Sequence, residues 1–89
     1  MAVYTVVLDF AEGTYVHQVR SNSVSSAAKK WVDGLAEEQV RGLGKQGKKR
    51  LSEQIHKDAP IALNGLSNAW CQTALVRGKL ALVNLIKTA

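Results

Sequence analysis

Two stretches of alternating apolar and polar residues open the chain. Within Val3–Phe10 the even positions are all large and apolar, whereas Thr5 and Asp9 between them are polar. A two-residue period of this kind is typical of a strand with one buried face. A turn at Glu12-Gly13 follows, and Tyr15–Arg20 continues as a second strand. The pattern predicts a β-hairpin at the start of the chain.

The turn of this hairpin admits two registers. A two-residue turn at Glu12-Gly13 pairs Phe10 with Tyr15 and places one apolar set on one face. A three-residue turn, with the glycine in a bulge, shifts the pairing by one and turns Val16 inward. We expect the first register, because it keeps the apolar side chains of both strands together.

A helical period replaces the alternation after the hairpin. Apolar residues recur from Val24 to Leu35 at the i, i+3, i+4, i+7, i+11 spacing of a buried stripe. Gly34 weakens this helix, which is predicted to end there or to run on to Gln39. Three residues near its start carry oxygens that can accept the free amide protons of a first turn, namely Asn22, Ser23 and Ser25.

A second, shorter helix is predicted over Lys48–Lys57, ended by Asp58-Ala59-Pro60. Glycines in the preceding segment, Val40–Gly47, predict a flexible junction. The segment that follows, Ile61–Asn68, is predicted to be a turn-rich linker. The inward residues of the helix, four positions apart, are Leu51 and Ile55.

The last third of the chain predicts a second hairpin, in which Trp70–Val76 and Lys79–Ile86 flank a tight Arg77-Gly78 turn. Leu80–Val83 is apolar on both faces, which favours either a central strand or a strand covered by another chain. The fold predicted for residues 1–89 is a single α+β domain of order ββααββ. Its four-stranded, mainly antiparallel sheet carries two helices on one face.

Residues 3–35 also resemble the openings of two known small folds. A "YTVVL" strand, a "GTYVHQV" strand and an "SAAKKWV" helix follow one another as in a HicB-type antitoxin domain. The same hairpin and helix are similar to the opening of a β-grasp domain. The HicB resemblance implies an antitoxin-type regulatory function. The chain lacks the proline-glycine segment and the extra strand of that family, so no residue role is carried over.

The formal net charge of the whole chain is +5, and the positive charge is concentrated in its second half. Residues 40–60 carry six basic side chains against two acidic ones. If these basic residues share one side of the second helix, that side can contact nucleic-acid phosphates with little sequence preference. The alternative interpretation is that it is a solvated helix face that keeps the protein soluble. The candidate nucleic-acid-binding residues are Lys45, Lys48, Lys49 and Arg50.

Catalytic and metal-binding patterns are not evident. Cys71 is the only cysteine, and it could act with His17 or His56 only if the fold brought them together. A lone cysteine among apolar strand residues is typical of a buried side chain and favours a reducing, cytoplasmic location. We therefore expect a non-enzymatic protein with no cofactor, no metal and no membrane span.

The partner expected for such a module is a protein or a second copy of the chain, with nucleic acid as the alternative. The strand near the C-terminus is the candidate contact, because its apolar residues point to both sides. The candidate interface residues are Leu80, Leu82, Val83 and Leu85.

Overall fold

The computed structural model describes residues 1–89 and confirms the α+β class. Its five strands are β1 (Ala2–Phe10), β2 (Gly13–Ser21), β3 (Ile61–Ala62), β4 (Ala69–Val76) and β5 (Lys79–Lys87). Its two helices are α1 (Val24–Asp33) and α2 (Gly44–Lys57), with a 3-10 turn at Glu37–Gln39 between them. The prediction of four strands was wrong, because two residues of the expected linker pair with β4 as β3.

All strands are antiparallel to their neighbours, in the order β2-β1-β5-β4-β3. The first and last strands of the chain therefore pair at the centre of the sheet, with Tyr4 opposite Lys87 and Asp9 opposite Leu82. The amide of Thr88 also donates to the carbonyl of Val3 at 2.8 Å. This pairing joins the two hairpins into one sheet, so β5 is an interior strand and not an edge.

The first hairpin turns one residue earlier than expected. Ala11 and Glu12 occupy the turn with φ of 49° and 69°, and Phe10 pairs with Gly13. Both candidate registers were therefore wrong. The side chains still face the sides expected from the first register, because the observed pairing differs from it by two residues and only an odd shift would exchange the faces. A Cβ at Gly13 would lie 2.5 Å from the Tyr15 hydroxyl oxygen, so this glycine makes room for a ring.

The first helix begins and ends within the predicted limits. Its N-cap is Ser23, whose hydroxyl oxygen accepts a hydrogen bond from the amide of Ser26 at 3.1 Å. Its C-cap is Gly34, which settles the open question of its end. Two buried positions on the stripe, Trp31 and Leu35, face the sheet as the helical spacing predicted.

Helix α2 begins at Gly44, so the expected flexible junction was wrong for residues 44–47. Gly47 is buried, and a Cβ there would lie 3.0 Å from Leu43 Cδ1 and 3.3 Å from Val76 Cγ1. A glycine in this helix therefore permits close approach to β4, which the sequence pattern alone does not distinguish from a flexible linker. Leu51 and Ile55 face inward as predicted.

Both helices pack on one face of the sheet, and the core lies between these two layers. Eighteen buried apolar residues form a single cluster. The even positions of β1 and the odd positions of β5 supply the sheet side of that cluster, which includes Val6, Leu8, Val83 and Leu85 with no exposed surface. Neither helix has the length and apolar character that crossing a bilayer requires.

Candidate functional site

The opposite face of the sheet is not covered by any other part of the chain. This open face is formed by the odd positions of β1 and β4, the even positions of β2 and β5, and Ile61 of β3. Six large apolar side chains of the molecule are mostly exposed, and four of them lie here. These four are Val16 at 59%, Leu75 at 57%, Leu80 at 60% and Ile61 at 72% exposure.

Cross-strand pairing places the apolar residues of the open face side by side. Leu75 lies opposite Leu80 across the β4–β5 hairpin, and Val7 lies opposite Val16 across the β1–β2 hairpin. Leu82, which is half-buried, lies on the central strand two residues from Leu80 and diagonal to Val7, since its direct partner on β1 is Asp9. Paired residues on one face of a sheet contact one another, so these side chains line a continuous surface.

Several polar side chains on the open face are hydrogen-bonded to one another, whereas those of Arg20, Thr73 and Asn84 are not. The Thr14 hydroxyl donates to Asp9 Oδ1 at 2.6 Å, and Gln18 Nε2 donates to Thr5 Oγ1 at 3.2 Å. The Thr5 hydroxyl also shares a 3.2 Å hydrogen bond with that of Thr88. A partner that covered this face would leave these groups satisfied, which removes much of the usual penalty for burying polar atoms.

Charge and aromatic rings are nearly absent from the open face. Of the twelve basic and seven acidic side chains, only Arg20 and Asp9 occupy its positions. The aromatic residues all lie on the helix-covered side or in α1: Tyr4, Phe10, Tyr15, Trp31 and Trp70. The open face therefore has no net charge and consists of aliphatic and uncharged polar side chains apart from Asp9 and Arg20.

The predicted interface residues divide between the two faces of β5. Leu80 and Leu82 lie on the open face, as a contact surface requires. Val83 and Leu85 point to the helices and have no exposed surface, so their assignment to an interface was wrong. Strand alternation explains the correction, because one apolar set of β5 fills the core and the other remains outside.

Sequence reasoning missed three members of the open face: Val16, Leu75 and Ile61. A signal for Leu75 was present, because a two-residue Arg77-Gly78 turn places it directly opposite Leu80. Nothing in the pattern signalled Ile61, whose strand has only two residues.

The basic residues of α2 form a smaller surface than predicted. Lys45, Lys48 and Lys49, which we call the α2 lysine surface, line one shallow depression. Two carboxylates share that depression, those of Glu37 and Glu53. None of the three lysines lies within 4.0 Å of a carboxylate oxygen, since the one contact of this kind in the chain joins His56 to Asp33 at 2.9 Å.

Two further findings reduce the number of basic side chains that the α2 lysine surface offers to a ligand. Arg50 lines a different depression, together with Lys57 and Asp58, and so does not extend the lysine cluster. Lys48 Nζ donates to the carbonyl of Asp33 at 3.4 Å and is partly buried. The positive charge free to meet a ligand is therefore mainly that of Lys45 and Lys49.

The sheet separates the residues considered for catalysis. Cys71 lies on the open face, whereas His17 accepts a 3.3 Å hydrogen bond from Trp31 Nε1 on the covered side. His56 lies on α2 and contacts Asp33 Oδ1 at 2.9 Å. No three His, Cys, Asp or Glu side chains converge as metal ligands would. A pair of Cys71 with either histidine is therefore not formed.

No family model, curated protein or solved structure matches this chain. Two surfaces distinguish the molecule: the neutral open face and the α2 lysine surface.

Proposed function

We propose that this protein is a non-enzymatic interaction domain that binds another polypeptide on its open face. The observation that carries the proposal is that four of the six exposed large apolar side chains lie on this one face, spread from one edge strand to the other. Contiguous apolar patches of a few hundred Å² are typical of protein contact sites, whereas isolated surface leucines are ordinary.

The composition of the open face favours protein over the other macromolecules. Nucleic acids are bound through basic side chains and stacking aromatic rings, and this face offers Arg20 alone. An anionic membrane surface also selects basic residues around the apolar ones. A polypeptide with an aliphatic surface can bind without basic side chains or aromatic rings on this face.

Site-specific photo-cross-linking in the organism that makes the protein tests this proposal. A photoreactive amino acid replaces Leu80 and, as a matched control, Leu66, which is 62% exposed in the loop before β4. We expect discrete polypeptide adducts from position 80 and only weak, diffuse ones from position 66. Equal yields at the two positions would refute the proposal.

A second candidate function is nucleic-acid binding by the α2 lysine surface. The buried side chains of Leu51 and Ile55 support it, because they hold the opposite side of the helix toward solvent. Glu37 and Glu53 oppose it, since their carboxylates compete with phosphate for the same lysines.

Gel retardation of generic DNA and RNA tests this second candidate. Binding at low salt should weaken steeply as salt rises and disappear when Lys45, Lys48 and Lys49 become Ala. A control that removes the same charge from exposed positions outside α2 is Lys29→Ala with Lys79→Ala and Lys87→Ala. Equal loss in both variants would indicate nonspecific attraction to the net charge and would end this candidate.

An antitoxin-type role and a cytoplasmic location belong to the same set of proposals. The first is supported by the order of strand, strand and helix in residues 3–35, and the second by the single cysteine. Specific co-purification with the product of a neighbouring gene supports the antitoxin role, and its absence counts against it.

A further inference from the structure

We infer that the polypeptide bound by the open face is a second copy of this chain, stacked sheet against sheet. This inference rests on the proposed function and names its partner. It is carried by the uneven distribution of charge between the two sides of the molecule, by the hydrogen bonding within the open face and by its area.

The net charge of +5 lies almost wholly away from the open face. Face-to-face stacking places two neutral surfaces in contact and leaves each basic helix layer on the outside. Stacked sheets lie about 10 Å apart, and a helix layer lies beyond each of them. The two basic layers are then separated by more than the Debye length of about 8 Å at physiological salt, so their repulsion is largely screened.

A different partner would have to match a face that carries one charge of each sign, Asp9 and Arg20. An acidic protein would be drawn to the helix side, where the basic residues lie. A second copy offers the same neutral aliphatic surface, again with one acid and one base. The open face is therefore complementary to itself in charge.

The internal hydrogen bonds of Asp9, Thr14, Gln18 and Thr5 lower the penalty for burying these polar groups in both copies. The side chains of Arg20, Thr73 and Asn84 have no such bonds, so they need partners across the interface. Four strands of eight or nine residues, β1, β2, β4 and β5, spaced about 4.8 Å apart with about 3.3 Å per residue, give roughly 500 Å² per copy. Two such faces bury roughly 1,000 Å², the lower limit for a specific interface. We therefore expect a reversible dimer with a dissociation constant in the micromolar range.

Sedimentation equilibrium of the purified full chain over a wide concentration range tests the dimer. The mass should rise from 9.6 kDa toward twice that value. Leu80→Glu should raise the dissociation constant at least tenfold, because each interface then buries two unpaired carboxylates. Leu66→Glu adds the same charge at a leucine of equal exposure in a loop, and it should leave the constant unchanged.

Cys71 supplies a second measurement that needs no substitution. It is the only thiol, it lies on the open face and it is half-buried in the monomer. Stacking should cover it, so its alkylation by iodoacetamide should slow several-fold as the protein concentration passes the dissociation constant. In Leu80→Glu the alkylation rate should not depend on protein concentration.

A monomer at every concentration would overturn the inference. So would a dimer that leaves Cys71 equally reactive and resists Leu80→Glu, since it would form elsewhere, for example by pairing of the outer edges of β2. A monomer that still gives a discrete cross-link from position 80 to a different polypeptide would refute self-association and retain the proposed function. If neither self-association nor any cross-link from position 80 is found, both fall.

Discussion

The two faces of the sheet both carry valine and leucine, but only one of them is covered by the helices. The covered face presents Val6, Leu8 and Leu85 to the helices, and all three have no exposed surface. The open face presents Val16 and Leu80, which are more than half exposed. Valine and leucine thus stand on both sides of the same strands. An apolar residue on a strand therefore identifies a surface to be buried, and whether the chain itself buries it depends on where the helices pack.

The largest difference between the faces should appear when leucine is shortened on β5. Leu85→Ala leaves a cavity in a packed core and should reduce the free energy of unfolding by about 2–5 kcal/mol. Leu80→Ala should change it by no more than about 0.5 kcal/mol. Urea denaturation at low protein concentration, where the chain is monomeric, measures both. Similar losses for the two variants would show that the open face is covered within the monomer.

The helix layer should also be sensitive to added volume where α2 meets β4. Gly47→Val introduces a side chain within 3.0 Å of Leu43 Cδ1 and should destabilise the fold by about 1–3 kcal/mol. Gln46→Val adds a β-branched residue at the neighbouring, exposed helix position and controls for helix propensity. Thermal unfolding of the two variants compares them. Equal unfolding midpoints for the two variants would mean that the close approach of α2 to β4 contributes nothing to the stability of the fold.

A valine-to-threonine change tests the faces with almost no change of shape. Val6→Thr buries a hydroxyl among apolar side chains and should reduce the free energy of unfolding by about 1–3 kcal/mol. Val16→Thr places the same hydroxyl in water on the adjacent strand, and should alter it by no more than about 0.5 kcal/mol. Chemical denaturation again provides the measurement. A costly Val16→Thr would contradict the solvent exposure of the open face in the monomer.

The smallest effect concerns the start of the helix that covers β1 and β2. Ser23→Ala removes the hydroxyl that accepts from the Ser26 amide and should reduce the free energy of unfolding by about 1 kcal/mol. Ser25→Ala, inside the first turn, should have an effect of no more than about 0.5 kcal/mol. Circular dichroism during thermal unfolding distinguishes the two. A larger loss of stability for Ser25→Ala than for Ser23→Ala would contradict the assignment of Ser23 as the N-cap.

Much of the fold could be predicted because its signals are local. The alternation in β1, the Ser23 cap and the Arg77-Gly78 turn depend on residues within a few positions of one another, and each appears where the pattern predicted it. The beginning of α2 could not be predicted in this way. Gly47 looks like a loop residue in sequence, and its role as a packing position exists only once β4 lies beside it.

The candidate site could be predicted only in part for a related reason. Of the four predicted interface residues, Leu80 and Leu82 lie on the open face, whereas Val83 and Leu85 are buried in the core. A run that is apolar on both faces contains no information on which face the helices take. The basic residues of α2 likewise divide between two depressions, and Arg50 lines the one that the three lysines do not share.

The sequence by itself determined which side chains share a face, where the second hairpin turns and which three residues can cap α1, since these follow from backbone periods and short-range hydrogen bonds. The tertiary structure decided which face is covered, that β1 pairs with β5, and that Glu37 lies beside the α2 lysine surface. Those outcomes join residues far apart in the chain, and their free energy is gained only when whole elements pack together.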